Sequence, residues 1–482
     1  MFKTLQSTFP HDKDYPARAH RLGILTRVLR GTIYDNLPHA FHEEQNEAGE
    51  YIKLRERRPS VRYKLCGLVV DDSVALLFSE GHFPEIDCGE GGETTREALQ
   101  RIIKETRLNE VMIDAATRGS VGSVAIMFRV LSARVFFQVM ETAYLTPAWK
   151  ADAPDTLEKV TERYKVNGRA LRDSGYTVAD DDLNADFWFM REWTATEETY
   201  FLPWKVSDEG ATPQRDAQRS VIHSLGFVPV AWVRNLPGGD ETDGSCTFPD
   251  EAIETGIEID YQLSQAGRGL KYSADPTLLI KEPALSDGTM IRGASNAITV
   301  NESGDAKLLE INGTAAAAVM DYVRMLREFA LETMHGNRAN ADKISAAQSG
   351  RAMELMNQAL IWLADRLRIS YGEGALLELL MMVVRASDKL PLVFKDGSKV
   401  GKLTAPVALR WPAWYQPTAN DRLNTANTLK AHVEAGTLST ETAVKTIAAD
   451  YDIEDVPAEL ALIAKERAAH EAEAKKQEPN QE

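Results

Sequence analysis

Three consecutive stretches decide the reading of this chain: GTAAAAVMDYVRMLREFALETM (Gly313–Met334), HGNRANADKISAAQSG (His335–Gly350) and RAMELMNQALIWLADRLRISYGEGALLELLMMVVRASD (Arg351–Asp388). In the first, apolar residues recur at Val319, Tyr322, Val323, Leu326, Phe329, Ala330 and Met334. That spacing of three and four predicts an amphipathic helix. Ala315–Ala318 add helix propensity and little bulk, which suits close packing on a neighbour. The second stretch has two glycines, two asparagines and no apolar stripe. It cannot bury itself and reads as an exposed polar loop. The third restores the helical pattern for roughly thirty-five residues, about three times the usual helix length. Gly372 and Gly374 predict a kink near its middle. The run Leu376–Val384 is more apolar than one core stripe requires, so it is buried within the chain or against adjacent copies. Together these stretches describe a polar finger held between two helices.

Working outward, the 482 residues provide for two to four domains and a large core. The composition, 44% hydrophobic and 26% charged, is ordinary for a soluble protein. No run of eighteen apolar residues is present and the first residues lack an apolar core. Neither a membrane span nor a signal peptide is expected, and the chain reads as cytoplasmic when made. Cys66, Cys88 and Cys246 form no CxxC pair, which argues against a disulfide framework or a zinc site. The net charge is −17. A tight DNA binder is normally basic, because neutralising phosphates supplies most of the affinity. This balance therefore excludes tight nucleic-acid binding by a single copy, and it is compatible with a surface that lets polyanions pass.

Before the three stretches, Arg21–Phe41 contains one amphipathic helix, Val61–Asp87 mixes a helix with short apolar runs, and Thr94–Gly119 reads as a single helix. From Ser123 to about Asn235 the residues become β-branched and aromatic, with turn signals between runs, which predicts a mostly antiparallel β region. Asp180, Asp182, Asn184 and Asp186 alternate as in a calcium loop. Ala185 stands where that loop needs glycine and Arg191 where it needs glutamate, so the cluster reads as a solvated hairpin turn. Pro237–Glu251 is a glycine-rich connector. Pro249 opens a helix that runs from an acidic half (Asp250, Glu251, Glu254, Glu258, Asp260) to basic Arg268 and Lys271, in accord with the helix dipole. PTLLIKE, AITVN and AKLLEIN then read as short strands around the loop SDGTMIRGAS, so residues 276–312 form a β insert between two helices. After Asp388 come two strand-like segments. The helix that follows starts at Thr418 or Asn420 and stops at Gly436. Two more helices and a polar tail, EPNQE, complete the chain.

Signatures of catalysis are missing. There is no GxxxxGK[ST] phosphate loop, no GxGxxG after a strand and no GxSxG elbow. His42-Glu43 lacks the second histidine of HExxH, and the nine histidines do not cluster. Asp71-Asp72 and Asp180–Asp182 have no partner group nearby in sequence and read as surface charge. No catalytic residue, metal site or cofactor is expected.

The succession of parts, rather than any one motif, resembles the portal protein of tailed double-stranded-DNA bacteriophages, in the siphophage-type branch. The likeness runs from about Leu65 to Lys465. It implies an α+β portal fold with a β-rich wing, a two-helix stem with a β clip insert, a tunnel loop, a long kinked wing helix and a C-terminal helical crown. In those terms the wing is 1–245, the first stem helix 246–275, the clip 276–312, the second stem helix 313–334, the tunnel loop 335–350, the long helix with wing strands 351–430, and the crown with its tail 431–482. The resemblance further implies a homo-oligomeric ring, a dodecamer in the virion, at one vertex of the capsid and assembled in the bacterial host cytoplasm. It passes double-stranded DNA non-specifically and transiently, meets capsid and scaffolding proteins, and docks the terminase large subunit and later the head-tail adaptor. Hydrolysis of ATP belongs to the motor, so the chain itself is no enzyme. Carried onto this sequence, Asn337, Arg338, Asn340, Lys343, Ser345, Gln348 and Arg351 face DNA from the tunnel loop. Glu254, Glu258, Arg268 and Lys271 face the channel or a subunit interface. Lys281, Asp287 and Arg292 belong to the clip docking surface. Two other readings differ in kind. Another head-tail structural or adaptor protein is usually far shorter, and an enzyme acting on nucleic acid would need a phosphate loop or a carboxylate cluster.

Overall fold

The computed structural model describes residues 1–208, 210–274, 277–283, 300–309, 313–336, 354–355, 357–404, 406–415, 418–451, 453 and 455–477. The chain divides into two compact units, residues 1–338 with 358–414, and residues 339–357 with 415–482. Both helices and sheets are prominent, as the α+β expectation has it.

The first unit begins with helices α1 (Phe2–Gln6) and α2 (Ala17–Arg30), short strands β1 (His39–Ala40) and β2 (Arg57–Arg58), helix α3 (Leu65–Phe78) and strand β3 (Glu85–Asp87). The single helix expected over Thr94–Gly119 is two, α4 (Glu93–Thr106) and α5 (Leu108–Gly119). Arg107 between them has φ of +51°. A left-handed arginine carries no local sequence signal, because that region is normally left to glycine or asparagine. It is held there because Leu99 and Ile102 on one side and Leu108 and Met112 on the other all reach the core.

The β region follows as β4 (Ser123–Leu131), β5 (Arg134–Glu141), β6 (Leu145–Lys150), β7 (Ala153–Asn167), β8 (Asp186–Trp193), β9 (Glu197–Phe201), β10 (Trp204–Lys205), β11 (Arg215–Ile222) and β12 (Val230–Arg234). A short helix, α6 (Gly168–Asp173), lies between β7 and β8. Strand β11 falls inside the expected β region but has no signal of its own, because RDAQRSVI shows neither alternation nor an apolar run. One sheet has the order β12-β4-β5; the other has β11-β9-β8-β7-β6, with β10 beside β8. Neighbours are antiparallel throughout both. The acidic cluster lies in the β7–β8 connection, where Asp180 pairs with Arg172 and Asp182 with Lys205.

Strand β4 explains how the layers stack. Val124, Ile126 and Phe128 enter a large core shared with helices, while Ala125 and Met127 join a second cluster with Val160, Trp193 and Trp232 against the other sheet. Both faces are covered, which is why SVAIMF is apolar without alternation. The large core is completed by α7 (Asp250–Ala274), the end of α8 (Gly313–Thr333), α9 (Gln358–Leu367) and α10 (Leu377–Lys389). Between α9 and α10 the helix is π-wound over Arg368–Leu376. The two glycines foreseen as a kink therefore sit in a change of winding. A Cβ on Gly372 would stand 2.3 Å from the Trp411 ring, so the ring packs directly on the backbone there. The apolar run at Leu376–Val384 is largely absorbed inside the chain: Leu376, Leu379, Leu380, Met382 and Val383 are all buried. Small strand pairs join β15 (Leu392–Val393) to β16 (Lys399–Val400) and β17 (Ala408–Arg410) to β3.

The second unit contains α11 (Ala419–Glu434), α12 (Thr440–Ile447) and α13 (Val456–Gln477). Thr418 caps α11 in a reciprocal capping box with Asp421, and Gly436 takes φ of +68° just after its end.

Candidate assembly surface

Helices α7 and α8 pack side by side. Between them lies an antiparallel hairpin of β13 (Thr277–Pro283) and β14 (Val300–Leu309). Strand β14 is continuous, where two separate strands had been expected. The helix–hairpin–helix order is the part of the fold on which the expected function depends, and its two helices are held very differently.

The root of α7 is fixed by a buried polar node. Asp243, fully buried, accepts hydrogen bonds from Arg18 at 2.6 and 2.9 Å, from Arg21 at 3.2 Å and from the Ser123 hydroxyl at 2.5 Å. Asn235, also fully buried, donates through its amide to Ser120, Ser245 and Thr247 and accepts from the Tyr371 hydroxyl at 3.0 Å. The glycines of the connector serve this packing. A Cβ on Gly244 would lie 2.6 Å from the Leu236 carbonyl oxygen and 2.7 Å from the Asn235 nitrogen. The connector is thus a packed turn, ruled by close backbone approach.

Further along, the amino-terminal residues lash α7 to the body. The Met1 amino group and the Phe2 N–H donate to Glu254 at 3.0–3.1 Å. The Tyr34 hydroxyl and the Tyr63 N–H donate to Asp260 at 2.8 and 2.7 Å. The Tyr261 hydroxyl donates to the Arg57 carbonyl, and the Ser264 hydroxyl accepts from the Val61 N–H. Arg268 pairs with Glu44. Burial pushes the Asp260 carboxyl up to about 6, with the Tyr63 and Tyr34 hydrogen bonds and the Arg62 charge pulling the other way.

The expected channel or interface residues are therefore engaged as follows. Glu254 and Arg268 meet groups of their own chain, Glu258 accepts from Gln262 at 2.7 Å, and Lys271 is exposed near the helix end. Lys281 is exposed on β13, opposite Asp305 of β14. Asp287 and Arg292 lie outside the described residues, as do Asn337, Arg338, Asn340, Lys343, Ser345, Gln348 and Arg351. The described chain stops just before that loop: α8 closes with the Gly336 N–H donating to the Leu331 carbonyl.

Helix α8 is organised in three faces. Val323, Ala330 and Met334 are buried, with Val319 and Leu326 packed against the same core. Asp321, Arg324, Glu328 and Glu332 form an exposed charged face. Between these, Tyr322, Met325 and Phe329 stand 40–54% exposed, spaced three and four apart with exposed Ala318 one turn before them. At 3.6 residues per turn that row lies roughly a third of a turn from the buried one. The stripe read from the sequence as one apolar face is thus two, and only one of them is covered within the chain. Packing that second face on another helix would take three large, half-buried side chains out of water, for about half of the 1.5–3 kcal/mol that burying each from full exposure gives.

Among the described residues, no group of His, Cys, Asp and Glu is arranged to hold a metal, and no helix is long and apolar enough to cross a membrane. No protein-family model and no curated protein matches the chain. Solved structures with some likeness include the neck of an empty GTA particle computed with C6 symmetry, at 11% identity, TM-score 0.39, covering 80% of this chain and 89% of that one. Another is the virion of a native gene transfer agent (GTA) particle, at 12% identity, TM-score 0.36 and the same two coverages. The neck of a native GTA particle computed with C12 symmetry gives 11%, 0.38, 81% and 95%.

Proposed function

We propose that this chain is the portal subunit of a tailed double-stranded-DNA bacteriophage or a phage-like particle. Copies form a ring at one capsid vertex, DNA moves through its axis, and the β13–β14 hairpin docks the packaging motor and then the adaptor. The protein is a conduit with no catalysis of its own. The observation that carries this reading is the unequal treatment of the two stem helices. Helix α7 is fastened to its own chain, while α8 keeps an apolar row free for a neighbour. A heterologous contact of that kind closes into a ring when repeated about an axis. The net charge of −17 on each of twelve copies gives on the order of 200 negative charges per ring, which keeps a sliding duplex from sticking. Arg338, Lys343 and Arg351 then supply weak phosphate contacts at the narrowest point, and Asn337, Asn340, Ser345 and Gln348 bond the DNA backbone without reading sequence.

Negative-stain images of the purified chain test the reading. Rings with a central hole are expected from the native sequence, and monomers from the double variant Tyr322→Glu, Met325→Glu. A native chain that sediments as a monomer would overturn it. Within the ring, Arg338→Glu with Lys343→Glu is expected to lower the DNA packaged or retained per head, and unchanged packaging would remove the loop from the mechanism.

A further inference from the structure

The π-wound segment opens on a cation that the chain does not neutralise. Arg368 is half-buried between two indoles: its Cζ stands 3.2 Å over the centre of the Trp414 ring and 4.7 Å from that of Trp411. Both tryptophans are tied down. The Trp411 ring rests on the Gly372 backbone, and the Trp414 carbonyl is 2.9 Å from Nε2 of His82. Rings on the faces of a guanidinium attract its charge but use none of its N–H groups, which point outward in its own plane. Nη2 reaches only the Pro412 carbonyl, at 3.4 Å, and Nε, which is buried, has no acceptor. Nη1 has no protein partner either and, unlike Nε, is open to solvent. Arg368 forms no ion pair among the described residues, and Asp365 acts on it only at longer range. Burial pushes its pKa down to about 10, so the group stays charged at neutral pH. A charge taken out of water is normally paired.

Arg368 lines a cavity of about 600 Å³, within the usual range for a ligand site. Trp362, Ile369 and Trp411 supply its apolar wall. Trp362 and Ile369 are seven residues apart on one face of the helix and stand 55% and 68% exposed. Asp365, Arg366 and Glu373 complete the lining, all three exposed. Arg366 and Arg368 thus balance Asp365 and Glu373, and the wall as a whole is neutral. The backbone here is π-wound from Arg368 to Leu376. That winding is rare and recurs at functional sites.

We propose that this cavity takes one carboxylate side chain, presented between apolar residues on a partner protein. The carboxylate accepts from Nη1 of Arg368, and the apolar residues on either side of it cover Trp362 and Ile369. Each part of the wall asks for one part of the ligand. A planar cation covered on both faces asks for a planar anion in its own plane, the geometry in which carboxylates meet arginine. Asp365 and Glu373 oppose a second negative charge, which disfavours a phosphate. Two large side chains that stand open, one turn or more apart along the helix, ask for a segment with apolar groups on both flanks, which a small free acid lacks. The inference is independent of ring formation and of the exposed row on α8.

The test is calorimetric titration of the full-length protein with the blocked peptide acetyl-Ser-Leu-Leu-Glu-Leu-Leu-Ser-amide. Parallel arms put glutamine or phosphoserine in place of the glutamate, put serine in place of the leucines, or use hexanoate alone. Saturable binding of the glutamate peptide is expected, with every other arm at least about tenfold weaker, the share of one charge-assisted hydrogen bond or of the apolar flanks. Arg368→Gln is expected to weaken the glutamate peptide by about tenfold or more and to leave the glutamine peptide as it was. Misfolding of the variant would not produce that coupling. Trp362→Ser, at the exposed rim, is expected to weaken both peptides by the same factor, about fivefold. No saturable binding, any parallel arm as tight as the glutamate peptide, or glutamate-peptide binding untouched by either variant would overturn the proposal. So would a change in the sedimentation of the protein alone on Arg368→Gln, which would mean that a second copy supplies the carboxylate.

Discussion

Helices α7 and α8 lie side by side, yet the rest of the chain covers them unequally. Along α7, Ile253, Ile257, Ile259 and Tyr261 are buried, and five of its polar side chains are bonded to residues 1–63. Along α8, one row is buried and the next, Tyr322, Met325 and Phe329, stays in water. Two neighbouring helices can thus be covered to different extents, one tied down along its length and one left with an apolar row in water. The difference lies in which surfaces the rest of the chain reaches.

The sharpest way to break this comparison is at the root of α7. Asp243→Ala leaves Arg18 facing a buried site without its carboxylate. Removing one partner of a buried pair costs about 3–5 kcal/mol. Urea unfolding of the variant should show a loss of that size, and a loss under about 1 kcal/mol would mean that the node does not hold the connector.

The next effect depends on pH. The Asp260 carboxyl has a folded pKa of about 6, above its unfolded value of about 4. Between those values the folded chain binds more protons than the unfolded one, so stability falls as pH rises from about 4 to about 6 and is level above that. A shift of about two units corresponds to about 3 kcal/mol at its full extent. Asp260→Asn should remove this slope, measured as the difference between variant and native unfolding free energies across the window. A difference between the two that stays constant across the window would show that burial does not raise the Asp260 carboxyl as described.

The smallest effect on stability is expected on α8. Phe329→Glu alters a side chain 54% exposed and should change the unfolding free energy by no more than about 0.5 kcal/mol. The same variant should shift sedimentation toward the monomer. If it destabilises the chain as much as Asp243→Ala, the two helices do not differ in the way described.

Much of this frame is legible in the sequence. The bounds of α7 and α8 follow from spacing and from Pro249, and the capping of α11 by Thr418 is a local pattern. What was not legible depends on distant groups. The break at Arg107 is imposed by the core on both flanks. The winding at Arg368–Leu376 is announced by two glycines, but neither its π form nor the Trp411 ring packed on Gly372 is. Nothing in residues 1–63 announces their tie to α7, because their partners there lie some two hundred positions later. The division of the α8 stripe into a covered and an uncovered row is invisible to periodicity, which counts apolar residues without knowing what covers them.

The lashing of α7 also sets an order of events during synthesis. Tyr63 and Asp260 are 197 residues apart, and Val61 and Ser264 are 203 apart. At about 5–20 residues per second, the early segment waits ten seconds or more for its partner helix to leave the ribosome. Contacts of such long sequence separation are late and slow to form. The amino-terminal segment therefore stays without its α7 partners until translation has passed residue 264.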